Sequence, residues 1–128
     1  MPWTKPYRPP RNERLHRELY CQRDRVVFIT IRAFTDHSPF LKPLLNSRIV
    51  QTLADDQLRL LCQVFTYCLM PDHLHLLASP EQDGTSVLTL ADRFKGKSTN
   101  RSWSVGHEGK LWEPRYHDHI VRKNEDLA

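Results

Sequence analysis

Two histidines two positions apart, His73 and His75, lie in the run Met70-Pro71-Asp72-His73-Leu74-His75-Leu76-Leu77. Imidazole binds metals and exchanges protons near neutral pH, so the placement of such a pair decides what the run can do. In an extended chain successive side chains alternate between faces. His73 and His75 then point one way, Leu74 and Leu76 the other, giving a strand with a metal-capable face and a core face. A divalent ion held there would polarise a phosphodiester oxygen and stabilise the charge that develops in displacement at phosphorus. By softness, imidazole ligands suit Mn²⁺ or Zn²⁺ better than Mg²⁺, and a third ligand must come from elsewhere. Two other readings of the spacing stay open. The histidines can line the wet face of an antiparallel sheet, or Cys68, across the Pro71-Asp72 bend, can join them around Zn²⁺.

A second group of residues suits a polyanion. Lys95, Lys97 and Arg101 follow an apolar helical stretch, and with Arg115 and Arg122 they can neutralise phosphates. Trp103, Trp112 and Tyr116 can stack on unpaired bases. The alternative is that Trp112 and Tyr116 are core aromatics and the cations an ordinary solvated surface. Lys and Arg outnumber Asp and Glu by 19 to 15, for a net charge of +4, and the pI is near 9.1, a balance that favours nucleic acid without proving it. Arg8, Arg11, Arg14, Arg17, Arg23 and Arg25 crowd the N-terminal segment.

The elements that must position these residues follow from pattern. With 128 residues and 39% hydrophobic content, the chain supports one domain with one modest core. Residues 1–24 form a basic Pro/Arg-rich arm, with a helical turn expected over 13–20. Residues 25–34, rich in β-branched and aromatic side chains, are expected to form a buried strand. Ser38 is an expected N-cap with Pro39 in the first helical position. Leu41, Leu44, Leu45, Ile49, Leu53, Leu58 and Leu61 then predict a helix, or a broken helix pair, reaching to about Leu61. Residues 63–70 and 73–79 are two strands joined tightly at Pro71-Asp72, hence antiparallel neighbours, with Tyr67 in sheet packing. Thr85 or Ser86 caps a second helix with the face Val87, Leu88, Leu90, Ala91 and Phe94. Leu111-Trp112 and residues 116–121 are short strand material.

The order β, α, β, β, α, β predicts an α+β fold of the ferredoxin-like or RRM-like split βαβ kind: a sandwich with a four- to five-stranded antiparallel sheet and two helices on one face. The opposite face is left for ligands. Such sheets serve RNA-recognition modules and enzymes alike, so the fold does not choose a function. Cys21, Cys62 and Cys68 are odd in number and lack CxxC spacing, which argues against a disulfide framework; Cys62 and Cys68 read as small core residues. No run approaches the roughly 18 apolar residues of a membrane span, and the N-terminus has no apolar signal core. A soluble, cytoplasmic protein without a membrane partner is expected.

Met70-Pro71-Asp72-His73-Leu74-His75-Leu76-Leu77, following the strand Tyr67-Cys68-Leu69, resembles the histidine-hydrophobe-histidine (HUH) block of single-tyrosine transposases of the IS200-like superfamily, specifically their REP-associated branch. Phe94-Lys95-Gly96-Lys97-Ser98-Thr99 resembles that family's basic second helix. Leu111-Trp112-Glu113-Pro114-Arg115-Tyr116-His117-Asp118-His119-Ile120-Val121-Arg122 is similar to its Trp-to-Asp-His-x-hydrophobe-Arg segment. The resemblance covers residues 25–128 and implies DNA transposition: cleavage and rejoining of single-stranded DNA beside a hairpin. A tyrosine hydroxyl attacks the phosphodiester, leaving a 5′-phosphotyrosine and a free 3′-OH. A divalent metal, Mg²⁺ or Mn²⁺ before Zn²⁺, is implied at His73 and His75. The implied partner is single-stranded or hairpin DNA, and homodimers occur among related enzymes.

The resemblance also implies a tyrosine-bearing helix after an acidic stretch. Here Asn124-Glu125-Asp126-Leu127 supplies that stretch and Ala128 follows, so the expectation is a chain truncated before its nucleophile and third metal ligand. Tyr116 is the catalytic candidate that remains, against a packed-aromatic reading of the same residue. The alternatives to a transposase are a non-catalytic nucleic-acid-binding module on the same sheet and a Zn²⁺-binding regulator.

Overall fold

A computed structural model describes residues 17–23, 25–35 and 37–121. Most of the basic arm, Arg122 and the acidic stretch at 124–127 lie outside the described residues. A 3-10 turn at Arg17–Cys21, where the helical turn over 13–20 was expected in part, precedes β1 (Val27–Arg32). There follow α1 (Pro43–Arg59), β2 (Cys62–Met70), β3 (His73–Pro80), α2 (Val87–Trp103) and β4 (His117–Ile120). The strands form one sheet in the order β2-β3-β1-β4, with every pairing antiparallel. This is the expected α+β split βαβ arrangement, with two helices against a four-stranded sheet. Leu111-Trp112 contributes only the single bridge Ala33↔Trp112.

The core lies between the helices and one face of the sheet. Val27, Ile29 and Ile31 of β1 are fully buried there, as are Leu74, Leu76 and Ala78 of β3. The expected buried strand is buried on one face only, as the alternation within β1 shows, with Phe28 and Arg32 exposed. No element covers the second face among the described residues, so an apolar run that reads as wholly internal has one open side. From the helix layer Leu45, Ile49 and Leu53 of α1 and Val87, Leu90, Ala91 and Phe94 of α2 complete the core. Trp112 packs between Phe40 and Phe94, at 4.9 and 5.7 Å between ring centroids. Its Nε1–H donates to Ser98 Oγ at 2.8 Å, which satisfies the one polar atom this large side chain brings inside.

The first helix starts later than its leucine spacing suggests. Ser38 adopts a left-handed conformation (φ 48°) and caps nothing; Pro39–Leu41 is a separate 3-10 turn. Pro43 forces Lys42 out of the helical region, so the helix restarts with proline at its first position, where no N–H is needed. The broken-pair reading is the one found. For α2, Ser86 is the cap, its Oγ accepting from Leu88 N at 3.1 Å.

The basic segment of α2 is continuous helix, and it packs. Ser98 and Ser102 are buried, and Lys97 and Arg101 reach α1, where Lys97 Nζ lies 3.1 Å from Asp56 Oδ1. Arg101 donates to Thr52 Oγ1 at 3.0 Å and to Asp55 Oδ2 at 3.2 Å. Strand β2 carries a bulge between Val64 and Thr66. After it, Thr66, Cys68 and Met70 share the open face, and Tyr67 pairs with Leu76 on the helix face. Cys62 is buried as expected, but Cys68 is exposed, and both are free thiols. Among the described residues no helix is long and apolar enough to cross a membrane.

Candidate active site on the open sheet face

His73 and His75 stand on the open face of β3, directly beside central strand β1. Alternation along β3 places them there because Leu74 and Leu76 are taken by the core. The two rings meet edge to face with centroids 4.4 Å apart, and their Nε2 atoms are 2.9 Å apart. Each remaining ring nitrogen has its own partner. Nδ1 of His73 lies 2.7 Å from Asp72 Oδ1, and Nδ1 of His75 lies 2.9 Å from Thr30 Oγ1. Thr30 is the register partner of His75 across the β1–β3 ladder. Phe28, two residues earlier on β1, stacks on His75 at 5.3 Å and 24°.

One set of neutral tautomers satisfies every contact. His73 donates Nδ1–H to the Asp72 carboxylate, which leaves its Nε2 as an acceptor for Nε2–H of His75. Nδ1 of His75 then accepts from the Thr30 hydroxyl. The Asp72 carboxyl is held below its ordinary range, first by its hydrogen bond to His73. His75 is held below 6.5, first by burial and then by the positive potential of His73 and Arg32. The first shift favours the ionised carboxylate of Asp72 and the second the neutral imidazole of His75, the form in which a histidine ligates a metal.

The donor set fits a divalent cation in part. Two Nε2 atoms converge, and each ring is oriented through Nδ1 by a carboxylate or a hydroxyl, the support that metal-bound histidines generally have. Cation binding needs His75 to carry its proton on Nδ1, and the Thr30 hydroxyl can accept that bond as readily as donate it. Among the described residues no group of three His, Cys, Asp or Glu side chains is placed to hold a metal ion. Cys68 is the register partner of His75, but its thiol lies 3.4 Å from Met70 Sδ.

The cationic residues singled out from sequence are not brought together on this face. Lys97 and Arg101 hold α1 to α2 as described. Lys95 Nζ donates to Pro114 O at 2.8 Å and lies 5.3 Å from the Tyr116 ring centroid. Arg115 is exposed in the loop before β4, and Arg122 lies outside the described residues. Tyr116 is 4% exposed and its hydroxyl donates to Leu88 O of α2 at 3.4 Å, which puts it in the helix layer, across the sheet from the histidines. Trp112 is buried as well, whereas Trp103 is exposed.

Over residues 21–127 the chain matches the family described as IS200-like transposases. The chain belongs to the IS200-like transposase family. A protein of Haemophilus influenzae named as a candidate REP-associated tyrosine transposase is 30% identical over 71 aligned positions, covering 48% of this chain and 40% of that protein. Among solved structures, a REP-associated tyrosine transposase bound to a REP hairpin shares the fold with a TM-score of 0.68 at 15% identity. That alignment covers 93% of this chain and 63% of the other. A structure described as a candidate transposase from Deinococcus radiodurans gives a TM-score of 0.65 at 19% identity, over 77% of this chain and 79% of that one. The chain thus spans less than two thirds of the first two relatives.

Several residues of the candidate site escape a reading of the sequence. His117 and His119 of β4 pair with Thr30 and Phe28, so they share the open face with His73 and His75. Their i, i+2 spacing is the signal that picked out the first pair, and the same alternation rule finds them. Asp72 was visible only as a turn residue. Thr30 had no local signal, because its role depends on register with a strand 45 positions away.

Proposed function

We propose that this IS200-like transposase chain binds single-stranded or hairpin DNA and acts in DNA strand cleavage and rejoining, with a divalent ion, Mg²⁺ or Mn²⁺ before Zn²⁺, held by His73 and His75. The observation that carries the reading is the convergence of the two Nε2 atoms at 2.9 Å, with both Nδ1 atoms already engaged. Such an ion, when bound, supplies Lewis-acid polarisation of a phosphodiester oxygen. The residues of the chain do the rest. Asp72 and Thr30 orient the imidazoles, and exposed Arg32, two positions from Thr30 on β1, offers a phosphate contact beside His73, its register partner. Arg115 and Arg122 are further phosphate contacts, whereas Lys95, Lys97 and Arg101 stand in the helix layer on the other side of the sheet and would meet only DNA that passes that side. A hairpin is the nucleic acid bound by the structural relative of the same fold, and it is the ligand proposed here.

A second reading is favoured by one observation. The described tyrosines are Tyr20, Tyr67 and Tyr116; the first and last are buried, and Tyr67 lies on the helix face of β2. Tyr67 borders the cavity that His75 also lines, but its register partner is Leu76 and not a histidine, so the described part of the chain can bind DNA and metal without itself supplying the nucleophile of a phosphotyrosine mechanism. The experiment is to incubate the protein with a hairpin oligonucleotide bearing single-stranded flanks, with Mn²⁺ and with EDTA. Mn²⁺-dependent binding or nicking that is lost in His73→Ala and His75→Ala supports the proposal. DNA binding indifferent to both substitutions and to Mn²⁺ rejects the metal part. A covalent protein–DNA adduct abolished by Tyr116→Phe would assign the nucleophile to Tyr116 and displace the second reading.

A further inference from the structure

Beside the histidine pair the open sheet face carries a shallow cavity of about 430 Å³, with Phe28 of β1, Thr66 and Cys68 of β2, and His75 and Leu77 of β3 in its lining. Its walls are mostly apolar. Phe28 is 38% exposed although its neighbours Val27 and Ile29 are completely buried, so its ring is presented to solvent by strand alternation and not drawn into the core. One exposed aromatic is ordinary, but Phe28 lines this cavity together with Leu77, and grouped apolar surface of this kind marks an interaction site.

We infer that this cavity takes an unpaired DNA base, packed against Phe28 and Leu77, from the nucleotide next to the phosphate held at His73 and His75. This inference rests on the proposed function and names the part of the DNA that the site reads. Three observations support it. First, His75 is shared: it is a wall of the cavity and a member of the histidine pair, so an occupant lies next to whatever phosphate the pair contacts. Second, the surface suits a base more than a sugar or a phosphate. Apolar and aromatic side chains of open antiparallel sheets stack bases without regard to sequence, and Thr66 and Cys68 of the lining bring a hydroxyl and a thiol that suit a base edge. Third, the surroundings favour a polyanion. The strand positions on this face carry Arg32, His117 and His119 and, among the described residues, no carboxylate; Asp72 belongs to the turn.

The test uses the whole chain and a hairpin oligonucleotide with single-stranded flanks, in which 2-aminopurine replaces each flank base in turn. The expected result is a fluorescence change at one flank position, lost in Phe28→Ala and restored in Phe28→Trp. Affinity for the flanked hairpin falls about 10-fold in Phe28→Ala, whereas affinity for the same hairpin without flanks is unchanged. An abasic site at the responding position lowers wild-type affinity by a similar factor and adds little to the loss in Phe28→Ala. Equal affinity of wild type and Phe28→Ala for the flanked hairpin overturns the inference. So does a change of oligomeric state in Phe28→Ala by sedimentation, which would make the cavity a contact with a second copy. The two readings fail separately: loss of DNA binding in His73→Ala with none in Phe28→Ala removes only the base site. A chain that binds neither Mn²⁺ nor DNA removes both.

Discussion

The hydroxyl of Thr30 on β1 lies 2.9 Å from Nδ1 of His75 on β3, a contact made by exact strand register between two residues that sequence does not link. It sets the plane of the imidazole and, because a hydroxyl both donates and accepts, lets that ring exchange a hydrogen bond to His73 for a bond to a metal ion. Asp72 orients His73 with a carboxylate that can only accept, which keeps the His73 proton on Nδ1 and its Nε2 lone pair free for a ligand. The histidine pair with its supports is therefore four side chains, of which two face a ligand and two aim them.

Replacing Thr30 by valine keeps shape and removes the hydroxyl. Mn²⁺ affinity, measured by calorimetry or by the electron paramagnetic resonance of free Mn²⁺, is expected to fall by roughly 10-fold or more, the usual effect of losing a supporting partner of a histidine ligand. Thr30→Ser should recover most of it. Thermal stability should change little in either variant. Unaltered Mn²⁺ binding in Thr30→Val would remove Thr30 from the site.

The pH dependence of stability has a defined sign. His75 titrates below its ordinary 6.5 in the folded chain, so between that depressed value and 6.5 the unfolded chain binds the extra proton. Stability contributed by His75 is thus complete above 6.5 and is lost as pH falls through the window. Asp72, also lowered, from 3.8, contributes above 3.8 and loses its part only in stronger acid. Melting curves in EDTA from pH 4.5 to 7.5 should show Tm falling below about 6.5, less steeply in His75→Gln. A Tm that rises towards acid in wild type would contradict the assignment.

The order of elements was legible because alternation in β3 and helical leucine spacing in α1 are local properties. Faces were less so. Phe28 and Thr30 are as strand-prone as Val27 and Ile29, and only the position of the helices decides which set is covered. Pro43, in plain view, explains the late start of α1, since a helix cannot run smoothly through the residue before a proline. The bulge near Phe65 is marked by no glycine or proline, yet it sets which of Tyr67 and Cys68 faces the histidines. Charge was visible and partnership was not: Lys97 and Arg101 read as a basic patch until α1 brought Asp56 and Asp55 against them.

Arg115 is an exposed cation in the loop entering β4. If it contacts a phosphate, Arg115→Ala should weaken binding of hairpins of unrelated sequence by similar factors and should reduce the slope of log affinity against log salt by about 1. Fluorescence anisotropy over a series of NaCl concentrations measures both. A slope equal to that of wild type would exclude the contact.

Lys97 gives the sharpest separation of structure from binding. Its ammonium lies 3.1 Å from Oδ1 of Asp56, a residue 2% exposed whose Oδ2 is buried without a hydrogen-bond partner among the described residues. Removing Lys97 strands that carboxylate inside the protein, and a charge left unpaired in a buried site costs more than the pair contributed. Lys97→Met is expected to lower unfolding free energy by about 3 kcal/mol, the low end for a broken buried pair because Lys97 itself keeps some solvent. The double variant Lys97→Met with Asp56→Leu should recover most of the loss, since no charge is then stranded. Urea denaturation of the three proteins measures this directly, and Lys97→Arg, which keeps the pair, separates a phosphate contact from a displaced helix. If Lys97→Met is as stable as wild type but binds DNA less well, Lys97 is a surface contact and its bond to Asp56 is incidental.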